Sequence, residues 1–544
     1  MKRNAAERDK VLEVAWISLA VITLGLVITI RLRLLGIPLE RDEGEYAYAG
    51  QLMLQGIPPY KLAYNMKFPG TYAAYALIMA LFGQTIVGIH LGLLLINAAT
   101  ILLIFLLGRR LINSIAGIAA AMAYAVLSVS PSVFGVAAHA THFVMLPALG
   151  GILLLLNESD GRNFERLFVS GLLFGTSLLM KQPAVFFIVF GALYLVSNDL
   201  RHKCGWKRIV LRNLTFDLGA IVPFGIACLF LWRAGVFDKF WFWTINYARE
   251  YGSLIPPGMA VKLFSNTASG VISPAWLLWT LAGLGVTAGL WNKRIRSNAV
   301  FLVGFLVFSL AAFSAGFYFR EHYYIFVLPA ASLFAGVAIS ALPNLTPRHS
   351  SFLRFALLLL FCVALSQPIL AARKFYFEVS TVEASRMVYG PNPFPESVRL
   401  AEYLRDHTEA GDTIAVLGSE PQIYFYSKRH SATGYIYTYG LMELQAYARQ
   451  MQEEMIRQIE SARPKYVIFV GVPTSWLRRP ESESLILTWT DQYIKTHYGV
   501  VGLVNIVSSD RTDYYFEQMP ESLPQLGTYM LIYQRKSQNL PATD

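Results

Sequence analysis

The chain has 544 residues, 55% of them hydrophobic and only 15% charged, a balance too apolar for a water-soluble protein of this length. Its formal net charge of +11 does not point to a nucleic-acid partner, because in a chain full of apolar segments basic residues serve first as topology signals on cytoplasmic loops. Its three cysteines, Cys204, Cys228 and Cys362, all lie in or beside the hydrophobic half, so a disulfide framework in the C-terminal part is excluded and the redox compartment stays open.

The N-terminus, MKRNAAERDKVLEVAWISLAVITLGLVITI, has a basic start and then an apolar run of about twenty residues, longer than a signal-peptide core. Without a small-x-small cleavage site it reads as an uncleaved first span. Apolar runs at 11–31, 86–107, 113–132, 141–157, 166–181, 183–198, 213–233, 271–290, 299–317, 323–341 and 354–372 predict a polytopic bundle of about eleven transmembrane helices. The segment 71–91 is weaker, interrupted by Tyr72, Tyr75, Gly83, Gln84 and His90. Counting it as a span would reverse everything downstream.

Lys and Arg placement decides the parity. With eleven spans and a cytoplasmic N-terminus, the inside loops are 1–10, 108–110, 157–166, 199–212, 291–298 and 343–354, which hold RHKCGWKR, NKRIR and PRHSSFLR. The outside then receives an acidic first loop, SPSVFGVAAHATH, the stretch 234–270, and FYFREHYY. The first outer loop is taken as 32–85, its last part, 71–85, being re-entrant or interfacial. This organisation predicts a multi-pass protein of a bacterial or archaeal plasma membrane, with both the loop and the C-terminal domain extracytoplasmic.

From about residue 373 charges and amphipathic runs replace the continuous apolar ones, marking a separate soluble unit, 373–544. A helix at 396–407, strands at 413–417, 466–470 and 529–534, and a long polar helix at 441–461 suggest a small α/β domain. Its Asp412, Glu420, Tyr424 and Tyr426 show no nucleophile-triad or phosphate-loop spacing, so its expected role is acceptor recognition or structure. The chain has no internal repeat or low-complexity segment.

The first outer loop reads ERDEGEYAYAGQLMLQGIPPYKLAYNMKFPG and gathers Glu40, Asp42, Glu43 and Glu45 just after the first span. A structural reading is a helix N-terminus, with Asp42 and Glu45 forming a capping-box-like pair ahead of an apolar face of Tyr46, Ala49, Leu52 and Met53. The functional reading makes Asp42 or Glu43 a general base that deprotonates an acceptor attacking an activated carbon. Lys67, at the far end of the loop, would then neutralise a phosphate leaving group, while Pro69 and Gly70 end any helix there.

These residues resemble a known superfamily. A DE pair followed by a Tyr-containing helix, a Gly-x-Pro-like segment, a Lys-x-Pro motif and a weakly apolar run into GRRL is similar to the first outer loop of the GT-C glycosyltransferases, in the protein-mannosyltransferase and aminoarabinose-transferase-like branch (glycosyltransferase family 39-like). The resemblance continues in SLLMKQPA, in HYYIFVLPAASL and in the domain opening VRLAEYLRDHTEAGDTIAVLGSEPQIYFYSKRHSATGYIY, so it covers most of the chain. It implies a GT-C-like membrane module, 1–372, that transfers a sugar from a polyprenyl-phosphate donor with inversion at the anomeric carbon. It places Asp42 at the catalytic acidic position, Glu43 at the second acid, and Lys67 on the donor phosphate. The family's Lys-Pro-Pro is here Lys67-Phe68-Pro69, and Met66 replaces an acid that in some members contributes to a metal site, so a divalent metal is possible but unsupported.

His139 and His142 share an i, i+3 spacing but make an incomplete metal site on their own, interfacial polar residues being the commoner explanation. Lys181, Arg320 and His322, at span ends on the outer face, are candidate donor-phosphate contacts or membrane anchors; Arg249 and Lys262 are weaker ones. Trp241, Trp243, Tyr247 and Tyr251 read as an aromatic belt in preference to a sugar-stacking surface. The expected partners are thus membrane lipids, the donor lipid, and a lipid, protein or glycan acceptor. A transporter or flippase is the alternative, disfavoured because charges avoid span centres and no repeat is present; a non-catalytic membrane protein displaying its exported domain would leave the acidic loop unexplained.

Overall fold

The computed structural model describes residues 2–156, 163–345, 351–517, 519–520 and 526–536. Parts of the basic loops expected at 157–166 and 343–354 therefore lie outside the described residues.

Helix α1 (Lys2–Arg33) is followed by two helices that do not cross the bundle, α2 (Arg41–Leu54) and α3 (Gly70–Phe82). Six bundle helices come next: α4 (Ile86–Leu111), α5 (Ser114–Ser128), α6 (Ala140–Leu156), α7 (Phe164–Met180), α8 (Val185–Arg201) and α9 (Trp206–Arg233). The bundle is completed by helical segments over Pro257–Leu290, Ala299–Phe317, Leu328–Ala341 and Ser351–Ala371. Among the described residues a helix occupies each of the eleven expected runs. Seven described helices are long and apolar enough to cross a membrane, whereas α5, α6 and Leu328–Ala341 are shorter apolar helices. Their sequences read as spans because they are buried inside the bundle: every residue of α5 from Ala119 to Ser128 is buried. The weak segment after Gly70 is α3, which Gly83 ends with φ +87°.

Peripheral helices turn apolar side chains outward, as on α9, where Leu211, Leu214, Leu218 and Ile221 are all more than half exposed. Helices α7 and α9 close on each other through small residues: a Cβ on Gly171 would lie 2.1 Å from the Phe216 carbonyl oxygen, and one on Gly175 2.2 Å from that of Ala220. Since the helices alternate in direction, the basic turns 108–110, 199–208 and 292–296 fall at one end of the bundle, and α2, α3 and the C-terminal domain at the other.

The C-terminal domain carries a six-stranded sheet in the order β2-β1-β3-β6-β4-β5. Strands β1 (Thr413–Leu417), β2 (His430–Ser431) and β3 (Tyr466–Gly471) are parallel, while β6 (Thr528–Arg535) pairs antiparallel with β3 and with β4 (Tyr498–Ile506), which holds β5 (Thr512–Phe516). The long helix expected at 441–461 begins only at Ala448, after a short turn Tyr439–Met442. The domain is not free-standing. One hydrophobic cluster joins Tyr46, Tyr48 and Tyr72 of the outer loop to Leu400, Ile423, Tyr424 and Ile436 of the domain.

Candidate active site

Helix α2 positions the site. Its N-cap is Glu40, whose side chain accepts from the Glu43 N–H at 2.9 Å while Glu43 Oε2 accepts from the Glu40 N–H at 3.3 Å, so the capping box is Glu40/Glu43 and not the expected Asp42/Glu45. That frees the Asp42 and Glu45 carboxylates. Although rich in acids, α2 is buried from Arg41 to Leu52, pressed between bundle and sheet domain. The contact leaves no room for a side chain at Gly44, where a Cβ would sit 2.7 Å from Gln422.

A buried ion pair fixes the same contact. The Arg41 guanidinium donates to Glu420 Oε1 (2.9 Å), the Ser419 carbonyl (2.6 Å), the Tyr439 hydroxyl (2.7 Å) and Asn392 Oδ1 (3.0 Å), and Ser475 Oγ donates to the other Glu420 oxygen at 2.6 Å. Tyr48 OH accepts from the Ser431 N–H and Tyr426 OH from the Leu39 N–H, at 2.8 and 2.9 Å.

Lys67 Nζ donates to Asp42 Oδ1 at 2.9 Å and to Glu45 Oε2 at 2.7 Å, and stands 4.6 Å over the Tyr46 ring. Glu45 also accepts from Tyr72 OH (2.6 Å) and Asn65 Nδ2 (2.7 Å). The Tyr437 hydroxyl, from the sheet domain, donates to Asp42 Oδ1 at 2.9 Å. Burial pushes the Asp42 carboxyl upward more than any one neighbour lowers it, but Lys67, His139, His322 and Arg320 together hold the group well below the usual carboxylate range. Glu40, buried and beside the Asp42 and Glu43 charges, is pushed up to about 8.

Glu43 lies elsewhere. Its Oε1 meets His90 Nε2 at 3.0 Å and accepts from the Ala138 N–H at 2.6 Å, tying α2 to α4 and to the loop before α6. It lines no described cavity, and its side chain is 1% exposed.

Two cavities flank Asp42. The first, about 220 Å³, is lined by Lys67, Lys181, Arg320, Asn65, Trp243 and Tyr247 among others. The second, about 280 Å³, is lined by Glu40, Arg41, Glu321, Tyr389, Asn392 and Phe394. Asp42, Arg320, His322, Tyr437 and Tyr439 belong to both, forming the wall between them. Among the described residues neither Lys181 nor Arg320 makes an ion pair: Lys181 stands 4.3 Å over the Tyr323 ring, and Arg320 donates to Tyr251 OH at 3.2 Å.

The histidines regroup. His139 stacks on His322, centroids 4.2 Å apart at 9°, and ligand atoms of Asp42, His139 and His322 lie within 4.8 Å of one another. Both His139 nitrogens and His322 Nδ1 are buried without a hydrogen-bond partner among the described residues. Burial lowers the His139 imidazole to about 4, so it is neutral and free to ligate. This set of one carboxylate and two imidazoles fits a zinc-like divalent cation. The His139/His142 pair suggested by spacing does not form the cluster, whose donors come from α2, the loop before α6 and the segment Glu321–Phe326.

The expected aromatic belt is also corrected. Trp241 is 44% exposed, but Trp243 and Tyr247 are buried and with Tyr251 line the first cavity. Their spacing of four, one helix face, was the available signal. Arg249 and Lys262 are exposed and line no described cavity. Tyr437 and Glu443 were not singled out from sequence, and Glu45 only as a capping residue.

Residues 67–227 match the family model of dolichyl-phosphate-mannose-protein mannosyltransferase. Among solved structures, the fold is similar to ArnT from Cupriavidus metallidurans bound to undecaprenyl phosphate, with TM-score 0.58 and 16% identity over 94% of this chain and 99% of that one. It is also similar to the apo Archaeoglobus fulgidus oligosaccharyltransferase, with TM-score 0.52 and 13% identity over 92% and 74% of the two chains. A third similar structure is AglB from Archaeoglobus fulgidus in complex with an inhibitory peptide and a dolichol-phosphate, with TM-score 0.52 and 12% identity over 93% and 75%. No curated protein matches the sequence significantly. The GT-C resemblance read from the sequence thus holds in the fold and over residues 67–227.

Proposed function

We propose that this GT-C-type membrane glycosyltransferase moves a sugar from a polyprenyl-phosphate donor to an acceptor hydroxyl, with inversion and with Asp42 as the general base. The observation that carries the reading is the place of Asp42 in a wall between two cavities, one of them lined by three cations.

Asp42 Oδ1 is held by Lys67 and Tyr437, and no hydrogen bond engages Oδ2 among the described residues. Oδ2 therefore takes the acceptor proton as the acceptor oxygen bonds to the anomeric carbon. On the opposite side of that carbon the bond to the phosphate oxygen breaks, and its electron pair leaves with the polyprenyl phosphate. Arg320 and Lys181, unspent on carboxylates, stabilise the developing charge, and Lys67 retains one of its three N–H donors for the same task. The cation-lined cavity is the donor side and the second cavity the acceptor side, whether the acceptor is lipid, protein or glycan. His322 belongs with His139 and Asp42 more than with the phosphate. A divalent cation held by those three would supply Lewis acidity and would take Asp42 Oδ2 as its ligand in place of the base role. Glu43 is a positioning residue, acting through the seat of α2.

The basic turns at the far end of the bundle support an extracytoplasmic site. In the donor test, Lys181→Met combined with Arg320→Met raises the donor KM at least about tenfold while the fold persists by size-exclusion elution, one hydrogen bond between charged groups being worth about 1.5–3 kcal/mol. An unchanged KM would remove the phosphate assignment.

A further inference from the structure

We infer that the donor's sugar ring is held in the cation-lined cavity by Trp243 and by Glu443 of the sheet domain, so that this domain helps to choose the sugar transferred. The inference rests on the donor reading above and names what that cavity recognises beyond phosphate.

Two polar groups in the cavity are unmatched. Trp243 is 5% exposed, and its indole N–H has no acceptor among the described residues. Glu443 Oε2 accepts from Tyr247 OH at 2.5 Å, while no hydrogen bond reaches Oε1 among the described residues. Leaving a buried donor without a partner is unfavourable, so the Trp243 N–H marks a place prepared for a ligand, and the half-buried Glu443 offers a free acceptor on the same cavity lining. Phosphate oxygens offer only acceptors and cannot satisfy a carboxylate, and a polyprenyl tail offers neither donor nor acceptor. Sugar hydroxyls donate and accept at once, and so can satisfy both groups.

The backbone gives independent support. Trp243 and Tyr247 lie on a single π-helical turn, Phe242–Tyr247, a distortion that recurs at functional sites. It brings the two rings to 5.0 Å, edge to face, with Tyr435 of the sheet domain 5.7 Å from Trp243. The Trp243 and Tyr247 rings, both lining the cavity with an unmatched donor and acceptor, suit the apolar and polar faces of a pyranose or furanose.

The test measures binding to the full-length chain, reconstituted in lipid nanodiscs, of bare undecaprenyl phosphate and of undecaprenyl phosphates carrying a neutral hexose, a neutral pentose or an amino-pentose. The wild type is expected to bind at least one of the sugar-bearing lipids more tightly than the bare phosphate. Trp243→Phe, which keeps the ring and removes the N–H, and Glu443→Ala should each cut that preference roughly tenfold, with bare-phosphate affinity unchanged. The inference is overturned if both variants keep the preference, or if they weaken bare phosphate equally, the sign of a packing role. Failure of the wild type to bind any of the lipids, bare phosphate included, overturns the donor reading and this inference with it.

Discussion

Replacing Arg41 with methionine removes one partner of a buried ion pair and three further hydrogen bonds while keeping most of the side-chain volume. Arg41 and Glu420 side chains are 9% and 0% exposed, so Glu420 is left charged and dry, with Ser475 as its remaining hydroxyl donor. Breaking such a pair from one side costs about 3–5 kcal/mol. For a unit of 150–250 residues, each kcal/mol lowers the melting temperature by about 2–4 °C, so the sheet domain's transition should fall by roughly 10 °C. The double variant Arg41→Met with Glu420→Leu removes both charges and should recover at least half of that loss, because well-packed apolar replacements of buried pairs are often near neutral. The assay is thermal unfolding of the four proteins of the cycle in one detergent. Activity should fall with stability in Arg41→Met, since Asp42 sits one residue along the same helix. A shift under about 2 °C in Arg41→Met, or a double variant no better than the single one, would refute the claim that this pair seats the domain on α2.

Gly44→Ala places a methyl 2.7 Å from Gln422 and should lower the same transition by about 1–3 kcal/mol, with a matching loss of transfer; unchanged melting would show that the contact is looser than described. Lys67→Met leaves Asp42 and Glu45 buried without their shared cation, so it should reduce transfer at least about a hundredfold and also destabilise the protein. A variant that keeps wild-type melting would place Lys67 outside the buried triad. If Asp42, His139 and His322 hold a divalent cation, protein purified without chelator should carry about one equivalent by elemental analysis, and His139→Ala or His322→Ala should each lower that content. Equal content in all three proteins would remove the metal assignment.

The bundle was legible because a bilayer span leaves an unbroken apolar run of about twenty residues, a signal that needs no tertiary knowledge. Burial inside the bundle mimics that signal, and this is why α5 and the helix Leu328–Ala341 read as longer elements than they are. In the site, Asp42 and Lys67 were legible together because one loop carries both. The cap was misread by its register, since Glu40 does what shorter polar side chains usually do at that position. What sequence could not show is long-range. His139 and His322 come from different elements and meet by stacking, and Tyr437 reaches Asp42 from a domain some 395 residues further on. Strands β4 and β5 escaped detection because neither alternates: β4 is buried continuously from Gly502 to Ile506, and β5 is half-buried along its whole length.

The central claim is tested most directly by transfer from radiolabelled polyprenyl-phosphate sugars in membranes carrying wild type or Asp42→Asn at equal expression. Asn keeps the shape and removes the base, so wild type should pass label to a lipid, protein or glycan fraction and Asp42→Asn should be slower by about 10²–10⁴-fold. Equal transfer by the two proteins, or no donor consumed by the wild type, would contradict the account.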